Sequence, residues 1–283
     1  MKSSVTSLLY IVGITFYAGK VGYWSYPKIE SYTYWLLLLL IVPHYYLLIK
    51  NKPKSNSLIF HNWFVPLSIL SGLGTLANNF EELMFVAYLC LLGIFYLIGN
   101  SNFFNGQKLR NNSFLILGSL GTIGILLSLS FSWYWDELLK NEFIFNNIND
   151  FIEIIAVIIL FSTAIVLLMK QFKKEHLKQT TLIEFVFLIF TISFLIGLKS
   201  SLPIILMNLV VFTIGILTIR KGEQKNHLGI LNYGLIIITA LVICRFFDTD
   251  LSFVLRGLLF ISVGAGFFIT NYWMLKKRNR NEK

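Results

Sequence analysis

Long apolar runs, separated by short loops rich in Lys and Arg, dominate this sequence. Of its 283 residues, 56% are hydrophobic and only 13% are charged, and the mean hydropathy is +0.70. Soluble domains have about a quarter of their residues charged. Helices of about 17–25 apolar residues cross a bilayer and satisfy their own backbone hydrogen bonds in lipid. The sequence therefore predicts an all-α, polytopic membrane protein.

Ten runs have this length, and we interpret residues 1–283 as one transmembrane domain, a bundle of about ten helices. Three of the runs are short, and we expect those helices either to gain a turn from their flanks or to cross with little tilt. The predicted spans are residues 5–24, 33–49, 57–76, 84–99, 113–132, 151–169, 182–198, 202–218, 228–247 and 252–275.

The placement of basic residues predicts the orientation, because cytoplasmic loops carry an excess of Lys and Arg. The N-terminus and every second loop together hold most of the 24 basic residues. These are Lys2, Lys50, Lys52, Lys54, Lys108, Arg110, Lys170, Lys173, Lys174, Lys178, Arg220, Lys221, Lys225, Lys276, Lys277, Arg278, Arg280 and Lys283. The alternation continues through all ten runs and predicts that both termini are cytoplasmic. We therefore interpret the net charge of +10 as a topology signal, with membrane lipids rather than nucleic acid as the partner.

Four charges lie close together between the last two runs, and they form the main candidate site. They are Arg245, Asp248, Asp250 and Arg256. One interpretation is a clamp, in which carboxylates accept guanidinium hydrogen bonds and hold the two helices together. The other is an outward-facing pocket for an anionic headgroup or substrate, because charges at membrane depth are costly and often functional.

The same region carries a resemblance. The runs Leu231-Asn232-Tyr233-Gly234, Arg245-Phe246-Phe247-Asp248 and Arg256-Gly257, with the basic end Lys276-Lys277-Arg278, resemble the C-terminal signature of a family of predicted bacterial multi-pass membrane proteins. That family is defined only as a domain of unknown function. The resemblance covers Leu231 to Arg278, and the preceding runs are similar only in hydropathy. It implies a protein of the bacterial inner membrane and implies no activity.

Four further residues are secondary candidates. His44 and His61 are predicted at the same depth toward the cytoplasmic side, which suggests a metal or proton site, although no Asp, Glu or Cys accompanies them at ligand spacing. Glu153 and Glu184 begin predicted helices. A carboxylate in a first turn complements the helix dipole, and the alternative is a proton-coupled carboxylate that faces the bundle interior.

Two local patterns bear on packing and on the outer surface. Gly118, Gly121 and Gly124 recur at three-residue spacing in one run, and small residues let helices approach closely. The longest loop, 133–150, is predicted to hold a short helix along the membrane surface or a lid over an outward cavity.

Three classes of function remain open. The first is a non-catalytic membrane subunit or scaffold, acting with a partner membrane protein or as a homo-oligomer. The second is a small-molecule or lipid-related transporter with an outward-facing pocket at the last hairpin. The third is an intramembrane enzyme on a lipid-linked substrate. The sequence has no Walker-type phosphate loop, His-Glu-x-x-His or Gly-x-Ser-x-Gly motif. We therefore predict no catalytic residues, no cofactor and no metal site, and the enzyme is the least favoured class.

Overall fold

The computed structural model describes residues 3–23, 29–77, 80–104, 107–141, 148–174, 181–246 and 252–281, and all statements below concern these residues. They form helices and no strands. The predicted all-α class is therefore confirmed.

Twelve α-helices are described, with short 3₁₀ and π-helical turns at some of their ends. In chain order they are α1 (Ser4–Ala18), α2 (Ile29–Leu39), α3 (Val42–Asn51), α4 (Asn56–Leu73), α5 (Glu81–Gly99), α6 (Ser113–Ser128), α7 (Trp133–Lys140), α8 (Ile148–Lys174), α9 (Val186–Gly197), α10 (Pro203–Gln224), α11 (Leu228–Phe246) and α12 (Phe253–Asn281).

Seven helical segments of the described chain are long and apolar enough to cross a membrane. An eighth follows if α6 and α7 count as one bent span. The predicted run 182–198 is helical but short, and it ends at Gly197. The predicted run 252–275 corresponds to the first part of α12, which begins at Phe253 and many of whose side chains lie outside the described residues. The protein is therefore a helical protein with several candidate membrane spans, as predicted in outline. The seven segments are Ser4–Gly22, Glu30–Asn51, Asn56–Leu76, Glu81–Gly99, Asp150–Lys173, Pro203–Gln224 and Leu228–Phe246.

The predicted run 33–49 is interrupted, because α2 ends at Leu39 and α3 begins at Val42. Pro43 explains the interruption. It has no N–H to donate to the carbonyl of Leu39, four residues earlier, and its ring crowds that carbonyl. Proline is tolerated in the first turn of α3, where that N–H would have no helical partner.

The chain divides into two compact units, Met1–Thr122 with Asn141–Thr191, and Ile123–Lys140 with Ile192–Lys283. In unit 1, α1 packs on α4 through residues that recur every third or fourth position, the period of one helix face. On α1 these are Ser7, Ile11, Ile14 and Ala18. Tyr34 of α2 lies over Gly72 of α4 and bonds Ser68 at 2.9 Å, so small and polar groups bring these helices together.

Helix α5 is the most enclosed candidate span of unit 1, with 72% of its most apolar 18-residue stretch buried. It packs along α8, and two glycines of α6 face it. A Cβ added at Gly118 would lie 2.5 Å from the backbone nitrogen of Tyr96, and one at Gly121 would lie 2.5 Å from the Leu92 side chain. The close approach of α6 to α5 therefore depends on these two glycines.

In unit 2, α10 and α11 form an antiparallel hairpin with an extensive contact. The turn begins where α10 ends, with Asn226 at φ 50°. The N–H of His227 donates to the Gly222 carbonyl at 2.9 Å and that of Asn226 to Glu223 at 3.1 Å, which is the Schellman pattern. Asn is one of the few non-glycine residues that adopts this left-handed conformation readily.

Candidate functional site at the break between α6 and α7

The apolar run predicted at 113–132 is not a straight helix. Helix α6 ends at Ser128, and α7 leaves at an angle of 72°. Non-helical backbone at membrane depth is tolerated only where its polar groups are satisfied by the protein or by water in a cavity. The residues between the two helices, 129–132, therefore mark a place where unit 2 has to supply hydrogen-bond partners.

The carbonyl groups at this break have identifiable donors. Trp135 Nε1 donates to the Leu129 carbonyl at 2.8 Å, and Asn208 Nδ2, from α10, donates to the Ser130 carbonyl at 3.0 Å. The Ser130 hydroxyl donates to the Leu127 carbonyl at 2.6 Å. These contacts allow the helix to break without leaving orphaned carbonyls in an apolar setting.

Arg245, in the last turn of α11, reaches the same break. Its Nη2 donates to the Ser130 hydroxyl at 3.2 Å, and its Cζ lies 4.8 Å from the centroid of the Phe131 ring. The guanidinium is half-buried, beside the C-terminal end of α6, where a positive charge complements the helix dipole. The predicted candidate Arg245 thus contacts two residues of the break that are far away in the sequence.

The structure describes the other members of the predicted charge cluster only in part. Asp248 and Asp250 lie outside the described residues, and so does the side chain of Arg256, whose backbone belongs to α12. The predicted carboxylate–guanidinium clamp therefore stays a prediction.

Sequence reasoning missed Ser130 and Phe131 as neighbours of Arg245. A signal was present, because Ser128, Ser130 and Ser132 alternate with apolar residues where the run ends. Side chains of Ser compete with the backbone for hydrogen bonds and favour helix ends.

The secondary candidates His44 and His61 do lie together in unit 1, with ring centroids 5.5 Å apart. His61 is fully buried, with Nδ1 2.7 Å from the Ser57 carbonyl and Nε2 3.0 Å from the Ser7 hydroxyl. A carbonyl only accepts, so Nδ1 carries the proton and Ser7 donates to Nε2. The hydrogen bond between Ser7 and His61 therefore links α1 to α4. Among the described residues, no group of three His, Cys, Asp or Glu could hold a metal ion.

The candidate Glu153 is fully buried in unit 1 and acts on a helix other than its own. Its Oε2 accepts the backbone N–H of Phe80 at 3.2 Å, and Phe80 is the N-cap residue of α5. Glu153 thus satisfies the backbone N–H of the N-cap residue, as the acidic residue of a capping box does, and places its carboxyl group at the positive end of α5.

The candidate Glu184 is buried at the opposite end of α5, also in unit 1. Its Oε1 accepts from the Thr181 N–H at 3.3 Å and the Thr181 hydroxyl at 3.0 Å, completing a capping box at the start of the helical segment that leads into α9. Asn100, the C-cap residue of α5, also donates to Oε1 at 3.4 Å. The carboxylate thus has the helix-start role that the sequence suggested, and it links the end of α5 to the helical segment that leads into α9.

Comparison of the chain with protein-family models, with curated proteins and with solved structures gives no match. The C-terminal resemblance described above therefore stays a prediction.

Proposed function

We propose that the chain is a multi-pass protein of the bacterial inner membrane, with about ten spans and both termini in the cytoplasm. Its best-supported function is to bind, and as a transporter to move, a small anionic solute or lipid headgroup at the outer end of unit 2. The observation that carries this proposal is a half-buried arginine, Arg245, at a break in an apolar helix.

The distribution of charge in unit 1 supports the orientation. Exposed cations gather at the end where α3, α5 and α8 finish, and most carboxylates of the unit lie at the other end, the buried Glu184 being the exception. Contacts between Trp63 and the Arg110 carbonyl at 3.3 Å, and between Asn100 and Glu184, place these loops at one end of the unit. The cations are Lys50, Lys52, Lys54, Lys108, Arg110, Lys170 and Lys173, and the carboxylates opposite are Glu30, Glu81, Glu82, Asp150 and Glu153.

The chemistry of the break supports an anionic ligand. A guanidinium carries five N–H donors in a fixed fork that matches carboxylate and phosphate. Phe131 stacks on one side of this guanidinium and Ser130 orients one of its donors. Interrupted helices with polar residues at the interruption are a recurrent way to build substrate sites in transporters.

The same contacts favour a second function, that of a non-catalytic membrane subunit. Ser130 is bonded through its hydroxyl to Arg245 of α11 and through its carbonyl to Asn208 of α10, so Arg245 also helps to hold the break against these two helices. In that case Arg245 is a structural clamp, and a partner membrane protein or a second copy supplies the function.

Purified variants separate these two functions. Arg245→Ala, Arg245→Lys and Ser130→Ala are compared with Lys199→Ala, which removes an exposed cation of the same unit. Thermal unfolding is measured in detergent, alone and with small carboxylates, phosphate monoesters and soluble phospholipids. A ligand present at about 100 times its Kd stabilises the folded state by about 2.7 kcal/mol. We expect one class of anion to stabilise the wild type and the Lys199 variant, and Arg245→Ala to abolish this effect.

The clamp function predicts a different outcome. Arg245→Ala and Ser130→Ala would both lower the unfolding temperature of the ligand-free protein, and no anion would stabilise any variant. That result would overturn the proposed binding site and leave the membrane topology untouched.

A further inference from the structure

Residues 108–112, in the described part of the loop between α5 and α6, are held by hydrogen bonds at the cation-rich end of unit 1. The buried Asn112 donates through Nδ2 to the Gly99 carbonyl at 2.8 Å and accepts the Leu115 N–H at 3.1 Å. Trp63 of α4 donates to the Arg110 carbonyl at 3.3 Å. The described loop backbone is therefore fastened to the end of α5, to the start of α6 and to the side chain of Trp63 within α4.

This fixed backbone presents an unusual combination of side chains. Lys108, Leu109 and Arg110 are consecutive and all exposed, and Leu109 is 62% exposed. Phe103, earlier in the same loop, is 37% exposed, whereas its neighbour Phe104 is buried and packs near Phe114. Two apolar side chains are thus displayed beside two cations.

The position of the loop relative to the bilayer explains this combination. It joins the ends of two apolar helices, and in the proposed topology this places it at the boundary between the hydrocarbon and the headgroups. Indole rings such as that of Trp63 favour the same depth. At this boundary, an exposed leucine reaches acyl chains while the flanking cations stay among headgroups.

We propose that Lys108 and Arg110, with Leu109 between them, form a binding site for the phosphate of an anionic phospholipid. The Arg110 fork binds phosphate oxygens in a bidentate manner, and Lys108 adds a point charge. Leu109 contacts the upper part of an acyl chain. The proposal requires that the protein is embedded in a membrane, and it is independent of the Arg245 site.

Native mass spectrometry of the full chain tests this site. The protein is taken from micelles that contain equal amounts of phosphatidylglycerol and phosphatidylcholine, and the bound lipids are counted. The variant Lys108→Ala/Arg110→Ala is compared with Lys170→Ala/Lys173→Ala, which removes the same charge from exposed positions of α8. The Trp63 bond uses the backbone of Arg110, so it survives the substitution.

We expect the Lys108/Arg110 variant to lose phosphatidylglycerol preferentially, by about fivefold for each cation removed. The α8 variant should keep it. Arg110→Lys should retain an intermediate amount, because the charge remains and the fork is lost, and Leu109→Ser should lower retention of both lipids. Equal loss in the two double variants would show only a diffuse attraction of cations for anionic lipid, and no loss in either would remove the site altogether.

Discussion

Two buried carboxylates in unit 1, Glu153 and Glu184, illustrate how an apolar protein keeps charged residues. Both were candidates for proton coupling, and both occupy helix ends, where backbone N–H groups have no helical partner. Glu153 accepts from the start of α5, and Glu184 accepts at the start of the segment before α9 and from Asn100. Their described contacts are therefore those of capping groups.

The capping role of Glu153 leads to a stability prediction. Glu153→Ala leaves the buried Phe80 N–H without this acceptor, and we expect the free energy of unfolding to fall by about 1–3 kcal/mol. Glu153→Gln keeps an acceptor oxygen and should cost less. Thermal unfolding in detergent measures the difference.

Glu81 supplies the control, because it lies in the first turn of the same helix and is exposed. Glu81→Ala should cost below about 1 kcal/mol, the range of helix-dipole effects at exposed positions. If Glu153→Ala and Glu81→Ala proved equally mild, the capping role would be wrong.

At the scale of the helices, glycine positions determine which faces meet. Three residues rotate the chain by about 300° around a helix, so glycines at three-residue spacing drift around it. Gly118 and Gly121 of α6 still face α5, whereas a Cβ at Gly124 would meet nothing within 4 Å. The spacing alone indicated close packing, but only the neighbouring helix decides where it occurs.

This difference predicts opposite effects for two changes on one helix. Gly118→Ala places a methyl group against the backbone of α5, at Leu92 and Tyr96, which cannot move aside. We expect a loss of about 1–3 kcal/mol in unfolding free energy. Gly124→Ala should be neutral or stabilise by up to about 1 kcal/mol, since alanine loses less entropy in a helix.

Unfolding temperatures of the two alanine variants, measured side by side in one detergent, provide the comparison. A Gly118 variant as stable as the Gly124 variant would contradict the close contact between α5 and α6.

At the scale of the whole molecule, the proposed topology makes a separate prediction. A reporter fused after Lys283 should be active as β-galactosidase, since the C-terminus is proposed to be cytoplasmic. Alkaline phosphatase inserted between residues 137 and 149 should be active, because that loop is proposed to be outside. Phosphatase activity at the C-terminus would contradict the proposed topology, either in the orientation or in the even number of spans.

Hydropathy predicted where helices form but not where they break. The interruption before Pro43 was readable from the sequence, because proline removes a specific backbone donor, although the predicted span 33–49 ran through it. The break after Ser128 was not, because the groups that satisfy it, Asn208 and Arg245, are far away in sequence. For the same reason Arg245 was found as a costly charge, whereas its partner Ser130 was missed.

The shielding of α5 has a mechanical consequence for the protein in its membrane. A helix of 19 residues is about 28 Å long, close to the thickness of the hydrocarbon layer, and this one is fastened at both ends by neighbouring carboxylates. When the bilayer thins or thickens, it is the outlying helices in contact with lipid that must tilt to follow it. We therefore expect the enclosed α5 to keep its place in unit 1 while its more exposed neighbours adjust.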